Sequence, residues 1–306
     1  MAMNIAGASY AQVNPKANDL NYIALPMYGL TDVQPIGVAA WIPKVSVEAR
    51  SRTQRAEMRG LRATPEKGQG ADVEYDAIEE QGGKIEIHLT YAQGIQWSRE
   101  FGQDADSMRL LPSYLVELGR CAAERMRIIF CAVLNDAFAG ATYTTNAATG
   151  GLALLSASHV VQGGTASNLI TGDLGVDTLE TAWVRLMNEV DYRGKFIGRA
   201  PKYLTTAPAG YPLAVQLLAA GGQPDSALNA TNFMAGRATP ISEPVLADTD
   251  AWFLSHEGHT IHVNEREAPT PLPFYVDRNG TSSAGLVFRT STGLDNRYGI
   301  VGSAGV

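Results

Sequence analysis

Three of the five histidines lie in the short run HEGHTIH, as His256, His259 and His262. Imidazole nitrogens bind zinc, and a helical H-E-x-x-H motif places two histidines four residues apart on one helix face. Here the first two histidines are three residues apart, and Gly258 lies between them. In a turn followed by a strand, His259 and His262 would point to opposite faces. We therefore predict turn or surface histidines and no metal site, and the alternative is a metal-dependent hydrolase built on these three histidines.

A nucleophile or a phosphate-binding loop would be another route to catalysis. Ser156, Ser158 and His159 are neighbours in the run SASHV, but catalytic triads are defined by geometry in space and not by proximity in sequence. The chain has no G-x-S-x-G elbow, no G-x-G-x-x-G fingerprint and no Walker-type G-x-x-x-x-G-K motif. Its carboxylates are dispersed and form no paired motif. We therefore predict no catalytic residue, no cofactor and no enzyme activity.

The composition narrows the class of protein. With 306 residues, 45% of them hydrophobic and 18% charged, the chain has the make-up of a soluble globular protein of one or two domains. A net charge of −7 argues against a surface that coats DNA, because neutralising phosphates requires a basic face. No apolar run reaches the ~18 residues that suggest a membrane span, and the N-terminus lacks the features of a signal peptide. Cys121 and Cys131 are about 15 Å apart on a predicted helix, so we expect reduced thiols and a reducing cytoplasm.

The elements that could position functional groups are a mixture of strands and helices. Apolar residues alternate with polar ones over 36–48 and over 85–91, which predicts two strands. Over 113–138 apolar residues recur every three or four positions, which predicts a long spine helix burying Leu115, Leu118, Met126, Ile129 and Val133. A second helix is predicted over 177–190, opened by a capping box of Asp177 and Glu180, and a third over 209–221. Because strands and helices do not alternate regularly, we predict an α+β fold.

The stretch from Arg50 to Glu80 is rich in charged residues and holds six of the chain's 24 Lys and Arg residues. Its basic residues are Arg50, Arg52, Arg55, Arg59, Arg62 and Lys67, and its acidic residues are Glu57, Glu66, Asp72, Glu74, Asp76, Glu79 and Glu80. Six basic against seven acidic residues give a net charge of −1, so this is not a nucleic-acid patch. A turn at 67–70 would fold the stretch into a hairpin in which Arg62 lies opposite Glu74 and Arg55 opposite Glu80.

Such a hairpin would not be stable alone. Arms of ~15 residues would reach roughly 50 Å, well outside a compact domain, and isolated two-stranded hairpins are marginal in water. We therefore predict an arm that is stabilised by lying on a neighbouring copy of the chain. The candidate inter-subunit contact residues are Arg50, Arg52, Arg55, Arg59, Arg62, Lys67, Glu74, Glu79 and Glu80.

Three further runs carry a resemblance to a known family. The run over 154–170 is LLSASHVVQGGTASNLI, in which small residues and a histidine are followed by paired glycines and an Asn. The run over 201–220 is PKYLTTAPAGYPLAVQLLAA, with a predicted strand, a proline turn and an Ala-rich helix. The run over 237–256 is RATPISEPVLADTDAWFLSH, which ends in a Trp-containing strand. Together with the arm, hairpin and long helix, these runs resemble the major capsid proteins of tailed phages, which share the HK97-like (Johnson) fold. The sequence looks most similar to Mu-like major head subunits, although Val160 and Val161 follow the histidine where that subfamily has a polar residue or proline.

The resemblance implies a domain organisation. It implies an HK97-like α+β fold with an N-terminal arm over 1–40, an extended loop with supporting strands over 41–97, and a peripheral domain with the spine helix over 98–174. An axial domain would follow over 175–285, and the C-terminal strands over 286–306 would return to the peripheral domain.

The resemblance also implies a function. The chain would be a major capsid protein that self-assembles into hexamers and pentamers of an icosahedral shell around double-stranded DNA. It would lie in the virion, after assembly in the host bacterial cytoplasm, without contact with a membrane. Its partners would be many copies of itself, portal, scaffolding and decoration proteins, and packaged DNA bound without sequence specificity. An encapsulin-like nanocompartment of the same fold is the alternative.

Overall fold

The computed structural model of the chain describes residues 44–46, 52–58, 60–61, 64–70, 72–78, 80–104, 111–139, 152–222 and 231–305. The predicted N-terminal arm, 1–40, lies outside these residues. Of the strand predicted over 36–48, the described part is β1 (Lys44–Ser46). Within the described ranges, no helix is both long enough and apolar enough to cross a membrane.

The described ranges contain four helices, which are α1 (Arg99–Asp104), α2 (Leu111–Asn135), α3 (Val176–Met187) and α4 (Tyr211–Ala219). Helix α2 is the predicted spine helix. As predicted, it buries Leu115, Leu118, Ile129 and Val133, whereas Met126 is only partly buried. Cys121 and Cys131 both lie on α2 as free thiols, as predicted.

The start of α3 differs from the predicted capping box. The helix begins at Val176, one residue before Asp177, and its N-cap is Gly175. The hydroxyl of Thr178 accepts a hydrogen bond from the Gly175 backbone N–H at 2.9 Å. The prediction of an Asp177–Glu180 box was therefore wrong, because the N-cap is Gly175 and its backbone N–H is held by the Thr178 hydroxyl, so Asp177 lies inside the first turn and is not the cap.

The remaining strands are β2 (Arg52–Met58), β3 (Glu80–Ile87), β4 (Leu89–Trp97), β5 (His159–Val161), β6 (Gly164–Ala166), β7 (Tyr203–Thr206), β8 (Thr239–Ser242), β9 (Trp252–Ser255), β10 (Ile261–Val276), β11 (Ser282–Leu294) and β12 (Ile300–Ser303). A first sheet has the order β1-β10-β11-β4, with β1 parallel to β10 and the other pairs antiparallel. A second sheet has the order β12-β9-β7-β8, with β7 and β8 parallel. Strands β2 and β3 form one antiparallel pair, and β5 and β6 form another.

Among the described residues, two hydrophobic clusters form the core. The first lies between α2 and the first sheet and includes Leu118, Ile129, Ile261, Leu286 and Phe288. The second lies among α3, α4 and the second sheet and includes Leu179, Leu186, Leu204, Leu217 and Trp252. Strand β9 faces both, because Phe253 belongs to the first cluster while Trp252 and Leu254 belong to the second. Successive side chains of a strand point to opposite faces, so this one strand joins the two clusters.

A buried ion pair also joins the two halves of the core. The Arg127 Nε on α2 donates to Glu243 Oε1 at 2.9 Å, directly after β8. The Glu243 side chain is fully buried and that of Arg127 is 25% exposed. The same carboxylate oxygen accepts a hydrogen bond from the Val245 backbone N–H at 3.2 Å. The spine helix is thus tied by a charged contact to the edge of the second sheet.

Removing Arg127 should destabilise the fold strongly. Arg127→Ala would leave the Glu243 carboxylate buried without its cation, and breaking a buried pair in this way typically costs about 3–5 kcal/mol of unfolding free energy. The control is Arg120→Ala, because the Arg120–Glu117 pair on the same helix is 72% and 59% exposed and such pairs contribute about 0–1 kcal/mol. Urea denaturation of both variants measures the difference, and equal losses would contradict the account.

Candidate functional site

The predicted hairpin exists, but its strands are shorter and its register differs from the prediction. Strands β2 and β3 pair antiparallel, with Arg55 opposite Lys84 and Met58 opposite Glu80. The predicted Arg55–Glu80 pairing is therefore wrong. The described residues of 60–78 contain no strand, and Pro65, Gly68 and Gly70 interrupt any long ladder there. A register shift after Ala56 moves the pairing by a further residue.

The structure separates the predicted contact residues into three groups. Arg52 is exposed on β2, and Lys67 and Glu74 are exposed on the loop. Arg55 and Glu80 lie on β2 and β3. The remaining predicted residues, Arg50, Arg59, Arg62 and Glu79, lie outside the described residues. We refer below to residues 60–78 as the extended loop.

The extended loop carries large apolar side chains that the charge-based prediction missed. Tyr75 is 90% exposed, Ile78 is 78% exposed, and Leu61 and Val73 are each 56% exposed. Single exposed apolar residues are ordinary, but several on one loop indicate an interaction surface. The sequence does not reveal these apolar residues as a surface, because they are irregularly spaced among charged residues.

The hairpin is held to the first sheet by a buried carboxylate. The Glu86 side chain, on β3, is 1% exposed. It accepts hydrogen bonds from the Asn264 side-chain amide and from the Leu294 backbone N–H, the latter at 3.2 Å. The His262 Nε2 lies 3.6 Å from Oε2, the carboxylate oxygen that accepts from Asn264. A buried carboxylate requires such partners, so β3 is fixed against β10 and β11 at this point.

His88, between β3 and β4, makes a second connection. Its two ring nitrogens contact the Thr53 hydroxyl on β2 at 2.8 Å and the Ser291 hydroxyl on β11 at 2.9 Å. Burial lowers the pKa of His88, and the nearby Arg266 adds to this lowering. We call Thr53, Glu86, His88, His262, Asn264 and Ser291 the hairpin root.

The hairpin root leaves no space for a side chain at Gly293. A Cβ at this position on β11 would overlap the Glu86 carboxylate and the His262 Nε2. Neither partner can move away easily, because both are buried. The hairpin root therefore requires a glycine at position 293.

A groove lies between α2 and β4, the strand that follows the hairpin in sequence. It has a volume of about 520 Å³ and an apolar lining that includes Leu118, Cys121 and Ile128. Arg125 lies over the Tyr91 ring at its rim, with 5.0 Å between the guanidinium carbon and the ring centre. The groove thus combines apolar walls with a cation held on an aromatic ring.

The run 154–170 forms a buried hydrogen-bond network around the β5–β6 turn. His159 Nε2 lies 3.0 Å from Asn168 Oδ1 and 3.2 Å from the Leu154 carbonyl. The Asn168 amide donates to the Leu154 carbonyl at 2.9 Å. Gly163, with φ +90, makes the turn between the two strands. Burial lowers the pKa of His159 to about 4, and the Arg297 charge contributes to the lowering.

A family model described as "Phage capsid protein" matches residues 88–301, which is well over half of the chain. The chain belongs to the phage capsid protein family. Among curated proteins, no match was found.

Solved structures of two phage capsids and of a virus-like particle share the fold at low identity. A chain from the asymmetric unit of the bacteriophage PhiM1 mature capsid is 9% identical, with a TM-score of 0.59 over 89% of this chain and 87% of that one. A capsid chain of Cyanophage P-SCSP1u is 9% identical, with a TM-score of 0.55 over 86% and 85%. A chain of a virus-like particle from Pyrococcus furiosus is 10% identical, with a TM-score of 0.50 over 92% and 97%.

The predicted HK97-like α+β fold and the predicted role as a structural major capsid protein are therefore confirmed. The closer similarity to Mu-like head subunits stays a prediction. In this capsid protein the histidines that suggested a metal site serve separate elements. His256 Nδ1 contacts the Ala200 carbonyl at 2.7 Å, and His262 belongs to the hairpin root.

The expectation of turn or surface histidines was wrong for His262, which lies on β10, whereas the His259 backbone N–H donates to the His256 carbonyl at 3.3 Å and closes a turn. His259 is 6% exposed and His262 is 3% exposed, because β10 begins at Ile261 and enters the first core cluster directly. Among the residues that the structure describes, no group of three or more His, Cys, Asp or Glu side chains could hold a metal ion. The Ser156 and Ser158 hydroxyls lie 3.4 Å from each other, while His159 Nε2 is directed at Asn168 and Leu154.

Filling the space at Gly293 should destabilise the capsid protein. Gly293→Ala places a methyl group where the Glu86 carboxylate lies, and overpacking of this kind typically costs about 1–3 kcal/mol. The matched control is Gly164→Ala, because a Cβ at Gly164 meets no atom within 4 Å. Thermal melts of both variants provide the measurement. If Gly293→Ala melts at the wild-type temperature, the tight root is refuted.

The His159 network should make the unfolding free energy decrease as the pH falls. Because the pKa of His159 is about 4 in the folded state and 6.5 in the reference state, the unfolded chain binds a proton first as the pH falls. The unfolding free energy that neutral His159 contributes is fully present above pH 6.5 and is lost as the pH falls to about 4. His159→Gln should therefore lose less unfolding free energy over this interval than the wild type. The control Val160→Thr changes a half-exposed residue of the same β5 strand and removes no titratable group, so it should keep the wild-type slope. Identical slopes for all three proteins would count against the network.

Proposed function

We propose that this capsid protein assembles through its extended loop into the hexamers and pentamers of an icosahedral shell that encloses double-stranded DNA. The observation that carries the proposal is the set of exposed apolar side chains on the loop, led by Tyr75 and Ile78. A loop that exposes such residues gains free energy by covering them. A shell repeats the same contact at every subunit, so a moderate gain per contact accumulates.

The receiving surface in this proposal is the groove between α2 and β4 of a neighbouring copy. Its apolar lining suits Tyr75 and Ile78, and Arg125 at its rim suits the loop's carboxylates. The predicted contact residues Arg50, Arg52, Arg55, Arg59, Arg62, Lys67, Glu74, Glu79 and Glu80 would form charged pairs around this apolar centre. Exposed pairs contribute little each, so we assign them to orientation and the apolar residues to affinity.

The remaining parts of the proposal follow from the family. Residues 41–97 would form the extended loop with its supporting strands, 98–174 a peripheral domain and 175–285 an axial domain, with 286–306 returning to the peripheral domain. The shell would be assembled in the host bacterial cytoplasm with portal, scaffolding and decoration proteins. DNA would be enclosed without sequence-specific binding, which agrees with the net charge of −7.

An encapsulin-like nanocompartment is the second candidate. The shared fold with a chain of the virus-like particle from Pyrococcus furiosus favours it. The two candidates differ in what the particle contains. Nuclease-protected double-stranded DNA in particles isolated from a producing host supports a phage head, whereas particles filled with a protein cargo support a nanocompartment.

The test of the loop is a double variant, Tyr75→Ser with Ile78→Ser. Burying one large apolar side chain is worth about 1.5–3 kcal/mol, so losing two per contact should reduce particle yield at least about tenfold. The melting temperature of the free subunit should not change, because both side chains are exposed. The control replaces Thr64 and Gln69 of the same loop with serine. Electron microscopy that counts as many shells for the double variant as for the control would refute the proposal.

A further inference from the structure

The turn over 191–195 is a rigid feature on the surface of the second half of the molecule. Asp191 Oδ1 accepts hydrogen bonds from the backbone N–H groups of Arg193 and Lys195, both at 2.9 Å. The Asp191 backbone N–H donates to the Lys195 carbonyl at 2.9 Å, which closes the turn. Gly194, with φ +79, allows the chain to reverse. The backbone that carries Arg193 is therefore fixed before any other contact is made.

Both limbs of the extended loop meet this turn. On the outgoing limb, a Cβ at Gly60 would come 3.1 Å from Asp191 Oδ2, and Gly60 has φ +70. On the returning limb, Asp76 Oδ1 lies 3.4 Å from Arg193 Nη1. Residues 60 and 76 are distant in sequence, so two separate points of the loop lie against one short turn.

The Asp76–Arg193 pair is unlike an ordinary surface ion pair. The two side chains are only 20% and 17% exposed, although they join a projecting loop to a surface turn. Charges withdrawn from water attract each other more strongly and are screened less by salt than exposed ones. By comparison, the Arg120–Glu117 pair is 72% and 59% exposed. The pair at Asp76 is therefore able to restrain the loop, which contains no strand among its described residues.

The restraint also determines which side chains face outward. Asp76 points towards the turn, while its neighbour Tyr75 is 90% exposed and Ile78 is 78% exposed. The same contact that holds the carboxylate inward therefore leaves the two most exposed apolar side chains among the loop's described residues in solvent. A loop held in one orientation loses less conformational entropy on binding than a free one.

We propose that the 191–195 turn is a seat that holds the extended loop in one orientation in the free subunit. The Asp76–Arg193 pair and the close approach of Gly60 to Asp191 would make the seat, and Tyr75 and Ile78 would be presented to the next copy. The second part of this inference builds on the proposed function of the loop. The first part concerns the free subunit alone.

The experiment measures the loop orientation in free subunits, below the concentration at which particles form. Spin labels at Gln69→Cys on the loop and Gln216→Cys on α4 report the distance between tip and body. Cys121 is replaced by Ser, and Cys131 is kept because burial raises the pKa of its thiol and makes it unreactive. The variants are Arg193→Asp, Arg193→Gln and the charge swap Asp76→Arg with Arg193→Asp. Lys195→Asp is the control, because it makes the same charge change in the same turn.

If the 191–195 turn holds the loop, the distance distribution between the two spin labels should be narrow for the wild type and the control. Arg193→Asp and Arg193→Gln should broaden it and raise the hydrogen-exchange rates of residues 72–78 about tenfold, with circular dichroism unchanged. The charge swap should restore the narrow distribution. If Arg193→Asp stays narrow, or the swap fails to restore what Arg193→Asp loses, the seat does not exist.

Assembly is then measured separately by light scattering. Both Arg193 variants should assemble several-fold more slowly than the control, and the charge swap should recover the rate. If wild-type subunits never assemble, the proposed function of the loop fails, whatever the distances show. If the wild type assembles and Arg193→Asp assembles at the same rate, the proposed function stands and the presentation of Tyr75 and Ile78 by the seat is refuted.

Discussion

The position of the extended loop depends on one buried carboxylate, that of Glu86. A carboxylate that is 1% exposed needs strong partners, and it finds them in the Asn264 amide and the Leu294 backbone N–H. These contacts fix β3 to β10 and β11 just before β4 takes its place in the first sheet beside β11. They also leave no space for a side chain at Gly293. The hairpin therefore leaves the body of this capsid protein at a defined point and in a defined direction.

A projecting hairpin has a defined position only if the core to which it is attached is rigid. Two clusters form that core, and β9 joins them because its side chains alternate between the clusters. The Arg127–Glu243 pair adds a charged contact from the spine helix to the second sheet. Breaking a buried pair is far more costly than breaking an exposed one, so this contact resists relative movement of the two halves. The groove between α2 and β4 lies on the resulting rigid surface.

The sequence predicted local structure well and distant contacts poorly. The spacing of Leu118, Ile129 and Val133 was sufficient for the spine helix, because burial on one helix face follows from period alone. The hairpin was predicted but its register was not, because charge pairs such as the predicted Arg55–Glu80 pair are too weak to determine a register. The hairpin root was missed, since Glu86 and Asn264 are 178 residues apart and no periodicity connects them. The same applies to Asp76 and Arg193, which only the folded chain brings together.

The central claim is that this phage capsid protein forms a shell in which the extended loop of each subunit, held in one orientation, lies on an adjacent subunit. Cryo-electron microscopy of particles formed by the purified wild-type chain tests it most directly. The account predicts closed shells in which residues 60–78 lie over the groove between α2 and β4 of an adjacent copy. Closed shells in which residues 60–78 touch only their own chain, or protein that stays monomeric at every concentration, would contradict it.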